Sequence, residues 1–131
     1  MSLEVVRRAL EYWNSGLEPT DETLARFAHP DFVIDLSANV LNPAVHEGCD
    51  GFRRFVQEVG EAWAEFRLDP EEFHEVGDQV VVLVRARGTG RGSGLQVDSE
   101  AAAVCQVRDG KLASFRIEPD REAALRLVGL R

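Results

Sequence analysis

Apolar residues recur at two periods along this chain, and the change of period separates a helical first half from a stranded second half. Leu3, Val6, Leu10 and Trp13 stand at helical spacing, with Val5, Ala9 and Tyr12 beside them. Ser2 can cap this first helix and Gly16 suits its stop. A short second helix follows, capped by Thr20 or Asp21, with Leu24 and Phe27 on its buried side. His29-Pro30 ends it, because the residue before proline avoids the helical region. Residues 32–36 read as a strand. A loop over 37–49, containing Asn39, Asn42, Pro43 and Gly48, leads to a third helix capped by Asp50. Phe52, Phe55, Val56, Val59, Trp63 and Phe66 give that helix a broad apolar face. Gly60 lies within it, at a cost of about 1 kcal/mol relative to Ala unless something packs closely there.

From residue 68 the period is two. Candidate strands cover 71–76, 80–87, 96–108 and 112–118. Gly77-Asp78 makes a tight turn, and Asp109-Gly110 is a strong hairpin signal. The glycine-rich run Gly88 to Gly94 resembles a phosphate loop only superficially. A strand follows it instead of a helix, so it reads as a hairpin or bulge. Pro119 and Asp120 start a final helix that carries Ala124, Leu125 and Val128 and stops at Gly129. Helices segregated from an antiparallel meander indicate an α+β fold. A curved sheet on a long helix leaves a concave space suited to a ligand.

Length changes this picture little: 131 residues suit one domain, 1–131. Charge changes it more. Fifteen Lys and Arg against 23 Asp and Glu leave a net −8, which argues against nucleic acid and against anionic lipid as partners. Two cysteines, Cys49 and Cys105, make no disulfide framework, and no charged-then-apolar leader precedes Glu4. The longest apolar runs, 80–84 and 101–105, are far short of a membrane span. The expectation is a cytoplasmic protein with reduced thiols. Lys111 is the single lysine among fifteen basic residues, a bias that points to GC-rich, bacterial coding.

Several stretches together resemble the SnoaL-like and ketosteroid isomerase-like proteins of the nuclear transport factor 2 superfamily. They are Tyr12-Trp13-Asn14-Ser15-Gly16, then Phe27-Ala28-His29-Pro30-Asp31-Phe32-Val33-Ile34-Asp35, and Glu47-Gly48-Cys49-Asp50-Gly51-Phe52-Arg53-Arg54-Phe55. Glu75-Val76-Gly77-Asp78-Gln79-Val80-Val81-Val82, Arg108-Asp109-Gly110-Lys111 and Asp120-Arg121-Glu122-Ala123-Ala124-Leu125 complete the likeness. The resemblance implies a cystatin-like conical barrel: a curved mixed sheet wrapped around a long helix, with two N-terminal helices. It also implies a homodimer through the outer sheet face. Members include isomerases, polyketide cyclases, dehydratases and epoxide hydrolases, as well as proteins without known catalysis.

The resemblance sets Asp35 at the position of the ketosteroid isomerase general base. Asp35 alternates with Val33 along its strand, and a carboxylate inside an apolar cone can serve as a base. The oxyanion donors of that chemistry do not carry over. The tyrosine position falls on Ala9 and the acid position near Ala103, which argues against steroid isomerisation. Arg85 and Arg87 share a face with Val81 and Leu83. Hydrophobicity alone leaves both arginines in solvent, whereas the family register turns Val81, Leu83, Arg85 and Arg87 toward the cavity. There an arginine such as Arg85 would pair with Asp35, bind an anionic group or orient an epoxide. Phe55, Trp63, Phe115 and Ile117 are the expected cavity wall, Tyr12 can reach its mouth, Trp13, Val59 and Cys105 are further candidate ligand contacts, and the small residues Ala101 and Ala103 favour an open cavity. His29, His46 and His74 lack metal-ligand spacing and read as structural or solvated. No cofactor or metal is expected. The reading is a cofactor-independent isomerase, cyclase or hydratase acting on a small apolar or aromatic ligand through Asp35. The alternative is a non-catalytic ligand-binding or dimerisation module.

Overall fold

Val80, Val81, Val82 and Val84 are wholly buried and Leu83 nearly so. Side chains alternate sides along a strand, so such a run needs cover on both faces. The computed structural model describes residues 2–15, 20–36 and 45–130 and shows that cover. In chain order the elements are α1 (Ser2–Asn14), α2 (Asp21–Phe27), β1 (Ala28–Asp35), β2 (Val45–Glu47), α3 (Gly48–Ala62) and β3 (Trp63–Val76). Then come β4 (Gln79–Gly90), β5 (Gln96–Arg108), β6 (Lys111–Glu118) and α4 (Arg121–Leu127). The strands form one curved sheet in the order β2-β1-β6-β5-β4-β3. β1 runs parallel to β6, and every other neighbouring pair is antiparallel. The sheet does not close, so β2 and β3 are edges of an α+β architecture.

Each face has its own core. Val80, Val82, Val84, Ala101, Ala103 and Cys105 pack on the inner side with Val6 and Leu10 of α1, joined by Phe52 and Phe55 of α3. Val81, Leu83, Ala102 and Val104 pack on the outer side under Ala124, Leu125 and Val128. These outer-row residues are thus covered by the chain's own α4. The order of removal from water sets the stability: each fully buried Val or Leu contributes roughly 1.5–3 kcal/mol before entropy is charged.

Local chemistry explains the element ends. Thr20 caps α2 by accepting from the Thr23 N–H at 3.1 Å. Asp120 caps α4 by accepting from Glu122 and Ala123. The C-terminus of α3 is closed from the β4–β5 hairpin. There the Arg91 side chain donates to the Gly60 and Trp63 carbonyls and its N–H to the Ala62 carbonyl. A cation there also meets the negative end of the helix dipole. Nothing approaches within 4 Å of where a Gly60 Cβ would stand, so packing does not require that glycine.

Some boundaries differ from the pattern. Trp63 and Phe66 continue the spacing of α3 but belong to β3, which starts eight residues ahead of the expected strand. Pro70 is tolerated inside β3 because this is an edge strand with a register shift between Pro70 and Glu72. β1 begins at Ala28, ahead of His29-Pro30, and β2 lies inside the expected loop. Gly16 as a helix stop and the loop residues Asn39, Asn42 and Pro43 lie outside the described residues.

Asn14 docks α1 on the open edge of β3. Its Nδ2 donates to the Leu68 carbonyl at 2.8 Å, and its Oδ1 accepts from the Leu68 N–H at 3.0 Å. One amide thus satisfies both backbone groups that an edge strand leaves unpaired. Asn14→Ala is expected to cost about 1–3 kcal/mol, as a shortened unfolding midpoint in urea at unchanged slope. An unchanged midpoint would show that water replaces the clamp without loss.

Candidate functional site

Strand pairing carries sidedness from β4 across the sheet. Val80 pairs with Cys105, Cys105 with Phe115, Phe115 with Ile34, and Ile34 with His46. Val80, Cys105 and Ile34 belong to the inner core with Phe115 packed against it, so His46 at the end of that row faces inward. The adjacent row runs Val81, Val104, Arg116, Asp35, Val45. Its members Val81 and Val104 lie in the outer core. Asp35 therefore stands on the outer face beside Arg116, contrary to the expectation that it lines the cavity. The reason is strand parity: Ile34 and Leu36 occupy the inner side, and Asp35 between them must take the other.

Aromatic rings line the inner face in an unbroken series. Trp63 lies 5.6 Å from Phe66, Phe66 6.5 Å from Trp13, and Trp13 5.4 Å from Phe55, centroid to centroid. Phe55 then meets His46 at 5.8 Å and Phe52 at 6.4 Å. Trp13, Phe52, Phe55, Trp63 and Phe66 are only half buried, although they come from three different elements. The Trp63 ring covers Gly88, where a Cβ would stand 2.9 Å from Cε3, so only glycine admits the ring there. Two nitrogens within this lining, Trp13 Nε1 and His46 Nε2, are buried and make no hydrogen bond. Buried polar groups are nearly always paired, so two orphans on either side of one ring mark the region.

The structure brings together Trp13, Phe55, Trp63, Ala103, Cys105, Phe115 and Ile117 from the expected wall, all on the inner side. Val59 lies half buried on α3, its carbonyl accepting the Trp63 N–H. Tyr12 packs on Phe27 at 5.5 Å, away from the Phe55 rings. Burial pushes the Cys105 thiol far up, so it behaves as a small core residue. Among the described residues no His, Cys, Asp or Glu cluster could hold a metal ion. His29 Nδ1 sits 3.1 Å from the Asp31 N–H and 3.2 Å from Arg108, and His74 pairs with Glu72. His46 was missed because a three-residue strand leaves no period to read; its one signal was a histidine between β-branched and acidic neighbours.

Leu83, Arg85 and Arg87 occupy the outer side, correcting the register taken from the resemblance. Leu83 is buried under α4. Arg85 donates to Asp98 at 2.9 Å and lies 3.7 Å from Glu71 and 3.6 Å from Glu100. Arg87 reaches Asp69 and Asp98. Arg121, at the start of α4, donates to the Val84 and Ala101 carbonyls and pairs with Glu71. The hydrogen bond from Arg85 holds Asp98 below the usual carboxylate range, and the bond from Arg121 does the same for Glu71, with Arg85 adding to it. Depressed carboxyl groups stabilise the fold above their ordinary range, and that contribution is lost as pH falls through their folded values. Arg85→Ala is expected to move the Asp98 and Glu71 titrations upward in a carboxyl NMR experiment, and its effect on stability should vanish in acid. Unmoved Asp98 and Glu71 titrations would remove Arg85 from this outer cluster.

The sequence profile of the SnoaL-like domain matches residues 6–115. Among curated protein sequences none matches the chain significantly. Solved structures show the same fold over nearly the whole chain. An NTF2-like protein of unknown function from Burkholderia pseudomallei K96243 is 24% identical, with a TM-score of 0.73 over 98% of this chain and 97% of that one. TerC, co-crystallised with polyporic acid, is 22% identical at TM-score 0.74, covering 97% of each chain. A candidate SnoaL-like polyketide cyclase from Jannaschia sp. CCS1 is 20% identical at TM-score 0.75, over 99% of this chain and 92% of that one. With the family profile running from within α1 into β6, residues 6–115, the chain belongs to the SnoaL-like domain family.

Proposed function

We propose that this chain is a small-molecule pocket protein whose ligand site is the ring-lined inner face between α1, α3 and the sheet. The observation that carries the reading is the pair of buried nitrogens that make no hydrogen bond, Trp13 Nε1 and His46 Nε2, on two ring neighbours of Phe55. Trp13 Nε1 can only donate, so it calls for an acceptor atom on the ligand. The surrounding rings call for an apolar or aromatic body, since ligand sites are mostly apolar with a few placed polar groups. The family supports a pocket-based role, and TerC, a neighbour in fold, was crystallised with polyporic acid.

Rings 5.4 to 6.5 Å apart touch, so a ligand enters by parting them. Their half-buried state lowers the cost of that movement. Proton abstraction by Asp35 is not part of this reading, because Asp35 shares the outer row with Arg116. That leaves binding as the primary role. No helix among the described residues is long and apolar enough to cross a membrane.

The test follows the two indole N–H resonances of Trp13 and Trp63, assigned with Trp63→Phe, while 2-naphthol is added. The expected result is a saturable shift of the Trp13 signal together with a rise in Tm, since a ligand that binds only the folded state stabilises it. Asp35→Asn should leave both effects unchanged. Absence of any Trp13 shift, or its loss in Asp35→Asn, would overturn the reading.

A further inference from the structure

His46 is held more firmly than its place on a three-residue edge strand requires. A Cβ on Gly51 would stand 2.9 Å from the His46 carbonyl carbon, so the first turn of α3 lies directly on its backbone. Phe55 covers its ring, and Glu58 Oε2 lies 3.7 Å from its Nε2. Gly51, Phe55 and Glu58 follow at spacings of four and three, so one stripe of α3 meets the backbone, ring and nitrogen of His46 in turn. The His46 side chain is 5% exposed and that of Glu58 55%. One group is thus fixed and dry, and the other flexible and wet.

The 3.7 Å separation is too long for a hydrogen bond between the two. His46 Nε2 is fully covered, so a third atom bonds both once the exposed Glu58 arm swings aside: an oxygen about 2.8 Å from each then closes the triangle. With the imidazole proton on Nε2, that atom accepts from the ring and donates to the Glu58 carboxylate. A hydroxyl does both, whereas a carbonyl, carboxylate or ether oxygen cannot donate.

We infer that His46 and Glu58 form a hydroxyl-binding pair in the pocket proposed above, selecting aromatic ligands that carry a phenolic or enolic OH. The inference rests on that reading and adds the substrate class to it. No covalent step is involved. The hydroxyl oxygen takes the vacant bond of His46 Nε2, its hydrogen is directed to Glu58, and the ring to which it is attached lies against Phe55. Charge on Glu58 strengthens the bond it accepts.

The experiment compares 2-naphthol with 2-methoxynaphthalene, which have the same rings but differ in whether the oxygen can donate. Affinities are measured by NMR titration for the parent, Glu58→Ala and His46→Phe. The parent should prefer 2-naphthol about tenfold, the worth of a charge-assisted hydrogen bond after solvent competition. In both variants the ratio should fall close to one. Glu58 is exposed, so its replacement tests the pair even if His46→Phe fails to fold. Equal affinities in the parent would show that water serves this notch and would overturn the inference while leaving the pocket standing. So would a preference that survives in Glu58→Ala. Binding of neither compound would overturn the pocket and the inference together.

Discussion

Cross-strand register is the constraint on which the rest of this structure depends. β4 is buried on both faces over Val80–Val84, and its parity is held by Arg85 and Arg87, which an exchange of sides would turn from their outer carboxylates into the apolar inner core. Each pairing then passes the same choice to the next strand, from β4 through β5 and β6 to β1 and β2. By the far edge the choice has become chemical. One row ends on an inward imidazole, and the next passes through an outward carboxylate.

The helices follow from that sheet. α1 covers the inner rows with Val6 and Leu10 and is pinned at its C-terminal end by Asn14 on the edge of β3. α4 covers the outer rows and is pinned at its start by Arg121 on the carbonyls of β4 and β5. Arg121 also joins the outer arginines and carboxylates into one network, so the charge that might have served a cavity holds a helix in place instead. The inner face is left to aromatic residues from α1, α3 and β3, which stay partly exposed.

Much of the fold was legible because its signals are local. The caps of α2 and α4, the turns at Gly77-Asp78 and Asp109-Gly110, and the five-residue core of β4 each depend on neighbours in sequence. The end of α3 was not legible, because Trp63 and Phe66 keep helical spacing after the backbone has become extended. The site was less legible still. The parity of β1 cannot be read from Val33 and Asp35 alone, since either row of a short strand can face a core. For Arg85 and Arg87, the hydrophobic pattern pointed outward and the resemblance inward. The structure sides with the pattern, because burying two arginines needs partners that the inner face does not offer. His46 gains meaning only once Ile34, Phe55 and Glu58 surround it, none of which adjoins it in sequence.

Inter-proton contacts in solution test the central claim most directly, because they report on which side of the sheet each residue of β1 and β2 lies. The account predicts nuclear Overhauser effects from the His46 ring to Phe55 and from the Ile34 methyls to Phe115, with Asp35 β protons near Arg116. Contacts from Asp35 to Trp13 or Phe55, with His46 free of ring neighbours, would reverse the parity and contradict the account.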